Sequence, residues 1–372
     1  MSAGAAVEAL TLSLGTFRLK QVEFAVGAGE ILVILGPNGA GKSVTLETIA
    51  GFHRPEAGRV LIAGREVTAL PPERRRVGFV VQNFGLFPHL TVAQNVSIAR
   101  RADRPPIAAK AVVPSRGDAA DLLGYFGIAH LAQRAPPDLS VGEKQRVALA
   151  RALAGAPDLF LFDEPFSALD AQTRGQLREE LGSFLRALAI PAIFVSHDRV
   201  DALVLADKIV VLHDGAVVQS GSAAQVFETP ASAFVARFIG VENVLRGRLV
   251  EASDEFLSIE VGKQTLRACL PGNPEKLKKQ AAPGCPISLS IRAEEVTVCR
   301  QPPERAANPT VNRFEARIER VRHEGALVTL GLDCGFPLKA HVLAPQARAL
   351  NLAAGAMVVA EIAATAIHAM PD

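Results

Sequence analysis

The chain has 372 residues, with 40 basic against 38 acidic side chains and 49% hydrophobic content, enough apolar material for two separate cores. A net charge of +2 without a long basic block excludes a dominant nucleic-acid surface. No apolar run approaches the roughly 20 residues that span a bilayer, so work at a membrane has to pass through a partner.

In chain order, the β-branched run Ile31–Leu35 leads into a glycine-rich turn and an amphipathic stretch from Lys42 to Gly51, the strand, loop and helix order of an α/β nucleotide fold. Arg74-Arg75-Arg76 reads as a solvated charge cluster, as does Lys276-Leu277-Lys278-Lys279, and neither is assigned a function. Between about residues 84 and 157 the pattern turns helical and is broken by Pro105-Pro106 and Pro136-Pro137, as expected of a helical subdomain inserted into the α/β core. Buried-strand runs recur at 159–162 and 192–195, and Asp214-Gly215 marks a hairpin. The polar groups after these strands fall where open α/β sheets bind ligands.

After Phe238 the texture changes to short strands punctuated by glycine and proline, so the boundary is expected at 240, with an all-β domain over 241–372. That domain repeats itself over about 243–299 and 310–370: residues 243–250 correspond to 312–319, and 286–298 to 357–369. All four cysteines, Cys269, Cys285, Cys299 and Cys334, lie there at spacings that fit neither a metal knuckle nor a compact disulfide frame, and read as reduced thiols.

Gly36-Pro37-Asn38-Gly39-Ala40-Gly41-Lys42-Ser43 satisfies the phosphate-loop pattern in the required context. Glycines let backbone N–H groups face phosphates, the helix start adds partial positive charge, Lys42 reaches the β and γ phosphates, and Ser43 ligates Mg²⁺. Asp163 suits Mg²⁺ coordination, and Glu164 suits a general base acting on water. Alone, the pair reads equally as a helix cap. His197 ends its own strand and could hold the water and Glu164 in line, although a lone strand-end histidine is more often structural. Gln82 could contact Mg²⁺ and the water. Ser140 and Gly142, in Leu139-Ser140-Val141-Gly142-Glu143, open a long amphipathic helix and offer a second anion site, best filled by the nucleotide of a second molecule.

Taken together, the phosphate loop, Gln82, the segment from Leu139 to Arg146, Asp163-Glu164-Pro165, Ser167-Ala168-Leu169-Asp170 and His197 resemble the ABC transporter ATPase over about residues 10–240. The resemblance implies an ATP site built from Asn38, Gly39, Ala40, Gly41, Lys42, Ser43 and Val44, with Mg²⁺ held by Ser43, Gln82 and Asp163. It implies Glu164, His197 and Gln82 as catalytic residues. It also implies a homodimer in which Ser140 and Gly142 reach the other copy's ATP while Asp170 couples the two sites. Integral membrane permease subunits and, indirectly, a periplasmic or lipid-anchored solute-binding protein are the implied partners, at the cytoplasmic face of the membrane. Val141 replaces the usual first signature glycine; if that position needs a positive φ, valine strains it. Leu14 or Phe17 takes the place of the aromatic that stacks on adenine in the family.

The C-terminal part resembles the OB-like TOBE domain of importer ATPases and, in its second repeat, the small molybdate-binding proteins. Molybdate or tungstate is therefore the expected solute; sulfate, iron, polyamine and sugar remain open, as does a soluble ABC ATPase outside transport. An oxyanion site drawing on Asn312, Arg313 and Thr365 competes with a dimerisation role, because Ala363-Ala364-Thr365-Ala366-Ile367 lacks the lysine of that family's motif.

Overall fold

The computed structural model describes residues 3–99, 118–167, 169–269, 282–300 and 310–371. Pro105-Pro106, Ala168 and the lysine cluster at 276–279 lie outside them. The chain forms two compact units, Met1–Val226 and Phe227–Asp372.

In the first unit, β1 (Ala3–Leu14) and β2 (Phe17–Gly27) form a hairpin. After it come β3 (Ile31–Leu35), α1 (Lys42–Ala50), β4 (Ala57–Ile62), β5 (Arg65–Glu66) and β6 (Val77–Val80). Among the described residues, the α-helices α2 (Val92–Ser97), α3 (Ala119–Tyr125) and α4 (Val141–Ala154) intervene before β7 (Leu159–Asp163) resumes the sheet. The unit continues through α5 (Ala171–Leu188), β8 (Ala192–Val195), α6 (Arg199–Leu205), β9 (Lys208–His213) and β10 (Ala216–Ser222). The central sheet runs β10-β9-β3-β8-β7-β6, with every pair parallel except β9 with β10. Its inner strands are covered on both faces, which is why β3 and β8 are buried at every position and read as continuous apolar runs. A second sheet, β2-β1-β4-β5, shares a core with it through Leu10, Leu19, Leu32, Ile34 and Leu46.

One charge cluster departs from its reading as a solvated face. Arg75 is buried, and its guanidinium donates to the carbonyls of Thr48 (2.8 Å), Ile49 (2.9 Å), Thr68 (2.8 Å) and Leu70 (2.7 Å). Two of these are last-turn carbonyls of α1, at the negative end of its dipole, and Thr48 O also accepts from Gly51 N at 3.2 Å. The arginine therefore closes the helix that the phosphate loop opens.

The second unit begins within α7 (Ala223–Glu228), ahead of the expected boundary at 240, because α8 (Ala233–Phe238) packs on strands β11 (Asn243–Ala252) and β14 (Pro286–Ile291). Its remaining elements are β12 (Phe256–Val261), β13 (Gln264–Cys269), β15 (Val296–Cys299), β16 (Val311–Glu324), β17 (Leu327–Asp333), β18 (Pro337–Leu343), α9 (Ala344–Ala349), β19 (Met357–Ala363) and β20 (Ile367–Pro371). Five strands, β11 to β15, make one repeat and five, β16 to β20, the other. The sheets run β13-β12-β11-β14-β20 and β15-β19-β16-β17-β18, so each repeat gives its last strand to the other repeat's sheet. A reciprocal pair of asparagines marks the relation. Asn243 accepts from Lys339 N (2.6 Å) and donates to Lys339 O (2.9 Å) and Ile291 O (3.2 Å). Asn312 accepts from Arg267 N (2.7 Å) and donates to Arg267 O (2.9 Å) and Ile362 O (3.3 Å).

Candidate active site

The phosphate loop leaves β3 at its C-terminal end and enters α1 through Gly39 (φ 79°) and Gly41 (φ 100°). A side chain on Gly41 would meet the rings and methyls of Phe17 and Leu19, and one on Gly36 would meet the carbonyl of Leu212, so glycine is required at both for close packing. Lys42 is buried, with Nζ donating to the carbonyls of Gly36 (2.9 Å) and Pro37 (3.0 Å). Burial lowers its pKa, opposed by the nearby carboxylates of Glu164 and Asp163.

Ser43 Oγ donates to Asp163 Oδ1 at 3.1 Å, joining the start of α1 to the end of β7. Burial raises the Asp163 pKa; the Ser43 hydrogen bond and Lys42 work against this, whereas Glu164 and Glu47 add to it. Glu164 follows in the left-handed region at φ 46°, an uncommon conformation for a residue with a Cβ. The bend is held from both sides: Glu164 N donates to Val195 O (3.0 Å), and Ser167 donates to Glu164 O through Oγ (2.9 Å) and N (3.2 Å). Strain of this kind persists only where its surroundings over-determine it. Here it turns the Glu164 carboxylate between His197 Nδ1 (3.1 Å) and Gln82 Nε2 (3.4 Å). Gln82, Glu164 and His197 thus converge from the ends of β6, β7 and β8, and Ser43 at the start of α1 meets Asp163 at the end of β7.

The frame behind His197 has no plain signal in the sequence. Ser196 Oγ donates to Asp201, which also accepts from Arg178 Nε; Arg178 Nη2 donates to Asp198 (2.7 Å), as does Arg174 Nη1 (3.3 Å). Asp198 N donates to Ser196 Oγ at 2.9 Å. Both neighbours of His197 are thereby tied to α5, whose N-cap is Asp170, accepting from Gln172 N (3.1 Å) and Thr173 N (3.0 Å). The bonds with Thr173 hold the Asp170 pKa below the usual carboxylate range.

Ser140 caps α4 in a capping box: its Oγ accepts from Glu143 N (3.3 Å) while Glu143 Oε2 accepts from Ser140 N (2.7 Å) and Oγ (2.8 Å). The same bonds depress the Glu143 pKa. Val141 is the first helical residue and has no positive φ, so the strain considered for it is absent. Among the described residues nothing crowds a side chain at Gly142. Leu14 and Phe17 pair across the β1–β2 hairpin, with the Phe17 ring beside Gly41. Val44 is half-buried in the first turn of α1, and Asn38 and Ala40 complete the loop.

Of the three residues considered for an oxyanion, Asn312 and Arg313 have polar groups engaged within the chain. Asn312 is committed to backbone groups as described above, and Arg313 Nε donates to Glu361 Oε1 at 2.7 Å. Thr365 lines a separate cleft with Ser290, Arg292, Glu295 and His368. Arg292 there already donates to Phe227 O (2.7 Å) and pairs with Glu294 (3.4 Å). Burial keeps the His368 pKa below its ordinary value.

A strand-end glycine loop carrying a buried lysine, facing a constrained glutamate between a glutamine and a histidine, is the arrangement of a phosphate-loop ATPase. Residues 19–167 match the family described as ABC transporter, and 309–369 match the TOBE domain. The chain is 36% identical to the molybdate/tungstate import ATP-binding protein WtpC of Pyrococcus horikoshii, over 98% of this chain and 99% of that one. It is 36% identical to the sulfate/thiosulfate import ATP-binding protein CysA of Thermosynechococcus vestitus (91% and 90% covered) and 35% identical to the spermidine/putrescine import ATP-binding protein PotA of Thermobifida fusca (84% and 77% covered). The chain belongs to the ABC transporter family, as an ATP-hydrolysing importer subunit with a C-terminal TOBE domain. None of the helices among the described residues is long and apolar enough to cross a membrane.

Proposed function

We propose that this subunit powers import of molybdate or tungstate, with Glu164 as general base for ATP hydrolysis in a homodimer. The placement of Glu164 between Gln82 and His197, beside the phosphate loop, carries this reading. Backbone N–H groups of Asn38 to Val44 and the Lys42 amine bind the phosphates, and Leu14 or Phe17 supports adenine. The donor set of Ser43 hydroxyl, Asp163 carboxylate and Gln82 amide oxygen is all hard oxygen, which fits Mg²⁺. When bound, the ion would neutralise charge on the phosphates. Glu164 takes the proton of the attacking water, His197 and Gln82 keep the carboxylate and water in line, and Lys42 balances charge on the β and γ phosphates.

Ser140 and Gly142 face the nucleotide of the second copy, and Asp170 links the two sites. Glu164→Gln tests both roles at once: ATP should bind and hold a dimer on size exclusion while turnover stops. A variant that hydrolyses ATP normally, or stays monomeric with ATP, overturns this reading.

A cleft of about 510 Å³ bordered by Phe52, Phe79, Val81, Phe87 and Ile98 supports docking of a permease helix. Phe52 and Ile98 are 59% and 57% exposed, whereas the nearby Phe84 is in the core. Arg151 braces the rim by donating to Phe84 O (2.8 Å) and Gly85 O (2.6 Å). The subunit accordingly acts at the cytoplasmic face, where a solute-binding protein delivers cargo to the permease from the other side.

The solute assignment rests on the WtpC similarity, which runs nearly end to end in both chains. Uptake of molybdate against sulfate and spermidine by the reconstituted importer tests it; preference for either competitor overturns it. The internal bonding of Asn312 and Arg313 favours a dimerisation role for the C-terminal unit over oxyanion sensing.

A further inference from the structure

Two arginines one turn apart on α5 join the turn that carries Glu164 to the turn that carries His197. Arg174 Nη2 donates to Leu169 O (2.8 Å) and its Nη1 to Asp198 Oδ2 (3.3 Å). Arg178 Nη2 donates to the same Asp198 oxygen (2.7 Å), while its guanidinium carbon lies 5.9 Å from the centroid of the Phe166 ring. Phe166 and Leu169 lie between the strained Glu164 and Asp170. Asp198 directly follows His197 and caps α6 through Val200 N (2.8 Å). Against burial, which raises it, the Val200 N–H and the two arginines hold the Asp198 pKa below the usual carboxylate range. The two arginines differ in burial. Arg178 is buried with Asp201 and ties the histidine turn into the fold. The Arg174 and Asp198 side chains are 28% and 25% exposed, and a partly solvated ion pair contributes less to stability.

We propose that Arg174 is a positioning residue for ATP hydrolysis, which couples the place of Leu169 and Asp170 to that of His197 and so sets the alignment of His197 on Glu164. The proposal rests on the roles of Glu164, His197 and Asp170 inferred above. His197 is exposed, so its own packing does little to fix the ring, and its placement falls to its chain neighbours Ser196 and Asp198. Ser196 is held through Asp201, deep in the fold. Asp198 is held through the arginines, and of these Arg174 also grips the backbone beside Asp170. A planar guanidinium that bonds both ends at once passes a displacement at Leu169 on to Asp198. A lysine at the same place supplies the charge on a flexible stem and lacks the two-ended fork.

Arg174→Met keeps most of the stem and removes the fork. In the full chain with Mg²⁺, kcat should fall about tenfold while KM for ATP stays within about twofold, because the phosphate loop is untouched. Arg174→Lys should recover part of this loss, to about threefold below the unmodified chain. In the nucleotide-free chain labelled at histidine Cε1, the His197 resonance, assigned by its disappearance in His197→Gln, should shift in Arg174→Met while those of His53 and His130 stay in place. Asp198→Asn retains a side chain able to cap α6 and weakens both arginine bonds; it replaces Arg174→Met should that variant fail to fold, with the same kcat loss and unchanged KM expected. Glu164→Gln separates this proposal from the roles it rests on. Normal hydrolysis by Glu164→Gln would remove the general base and the present proposal with it. Where Glu164→Gln stops turnover, an unmoved His197 resonance, a kcat within twofold, a loss carried by KM or full recovery with lysine would overturn the role of Arg174 alone.

Discussion

Asp163 in the first unit and Asn312 in the second are polar residues set into strand-rich cores, and their surroundings treat them in opposite ways. Asn312 spends its carboxamide on three backbone groups of neighbouring strands, and Asn243 does the same in the other repeat. Asp163 has Ser43 as its hydrogen-bond partner, with a pKa pushed up by burial. Glu164 next to it occupies a strained backbone. In the ATPase unit, conformational and electrostatic free energy is held in place for chemistry; in the TOBE unit the polar groups stabilise the fold itself.

The sharpest way to break this comparison is at Glu164. Glu164→Gln keeps the size of the side chain but removes the proposed base, and should lower ATP turnover by about 10² to 10⁴. Thermal stability should be unchanged or slightly higher. Steady-state phosphate release beside a melting curve checks both, and a large fall in Tm with modest loss of turnover would make Glu164 a structural residue.

Asn312→Ala should do the reverse. It removes the Asn312 partner of the Arg267 N–H and carbonyl on the edge strand β13 and should destabilise the chain by about 2–3 kcal/mol. Denaturant unfolding checks this, and Asn243→Ala should match it, because the two asparagines make equivalent bonds. If Asn312→Ala leaves stability intact and instead abolishes a molybdate response, the residue is a ligand after all.

A smaller effect, of opposite sign, is expected at Asp163. Its folded-state pKa is raised, so the native protein holds the proton more tightly than the unfolded chain. The stabilisation linked to that proton is complete below the unfolded pKa and is lost as pH rises through the folded one. Near neutrality the ionised carboxylate therefore lowers stability in the nucleotide-free protein. Asp163→Asn should raise Tm there, with the difference closing as pH drops below the ordinary carboxylate range. Melting curves across that range decide; a difference that widens toward acid would reverse the assignment.

These contrasts also mark what was legible in the linear sequence. The phosphate loop, Asp163-Glu164 and His197 were readable because each pairs a short motif with the strand before it. The two repeats were readable from order and length, yet the exchange of β15 and β20 was not, since an alternating pattern identifies a strand without naming its sheet. Arg75 lies in a run of arginines that reads as solvated, and only tertiary packing gives its side chain four carbonyls, two from the end of α1 and two from Thr68 and Leu70. Arg178 and Asp201, separated by a helix and a strand, meet for the same reason: tertiary packing brings together charges that local pattern leaves apart.

The smallest expected effect concerns Val141. As a signature residue it invites comparison with glycine, but here it opens α4 with helical geometry and a partly exposed side chain. Val141→Gly removes no strain, because none is present, and makes the helix start more flexible by a fraction of the ~1 kcal/mol cost of glycine in a helix interior. ATP turnover should stay within about twofold, and the capping box of Ser140 and Glu143 should hold the turn in either case. A rise well beyond that, measured as steady-state ATPase rate at saturating ATP, would mean that the closed dimer demands a backbone at 141 that this conformation does not display. A comparable fall would mean that the valine itself touches the partner.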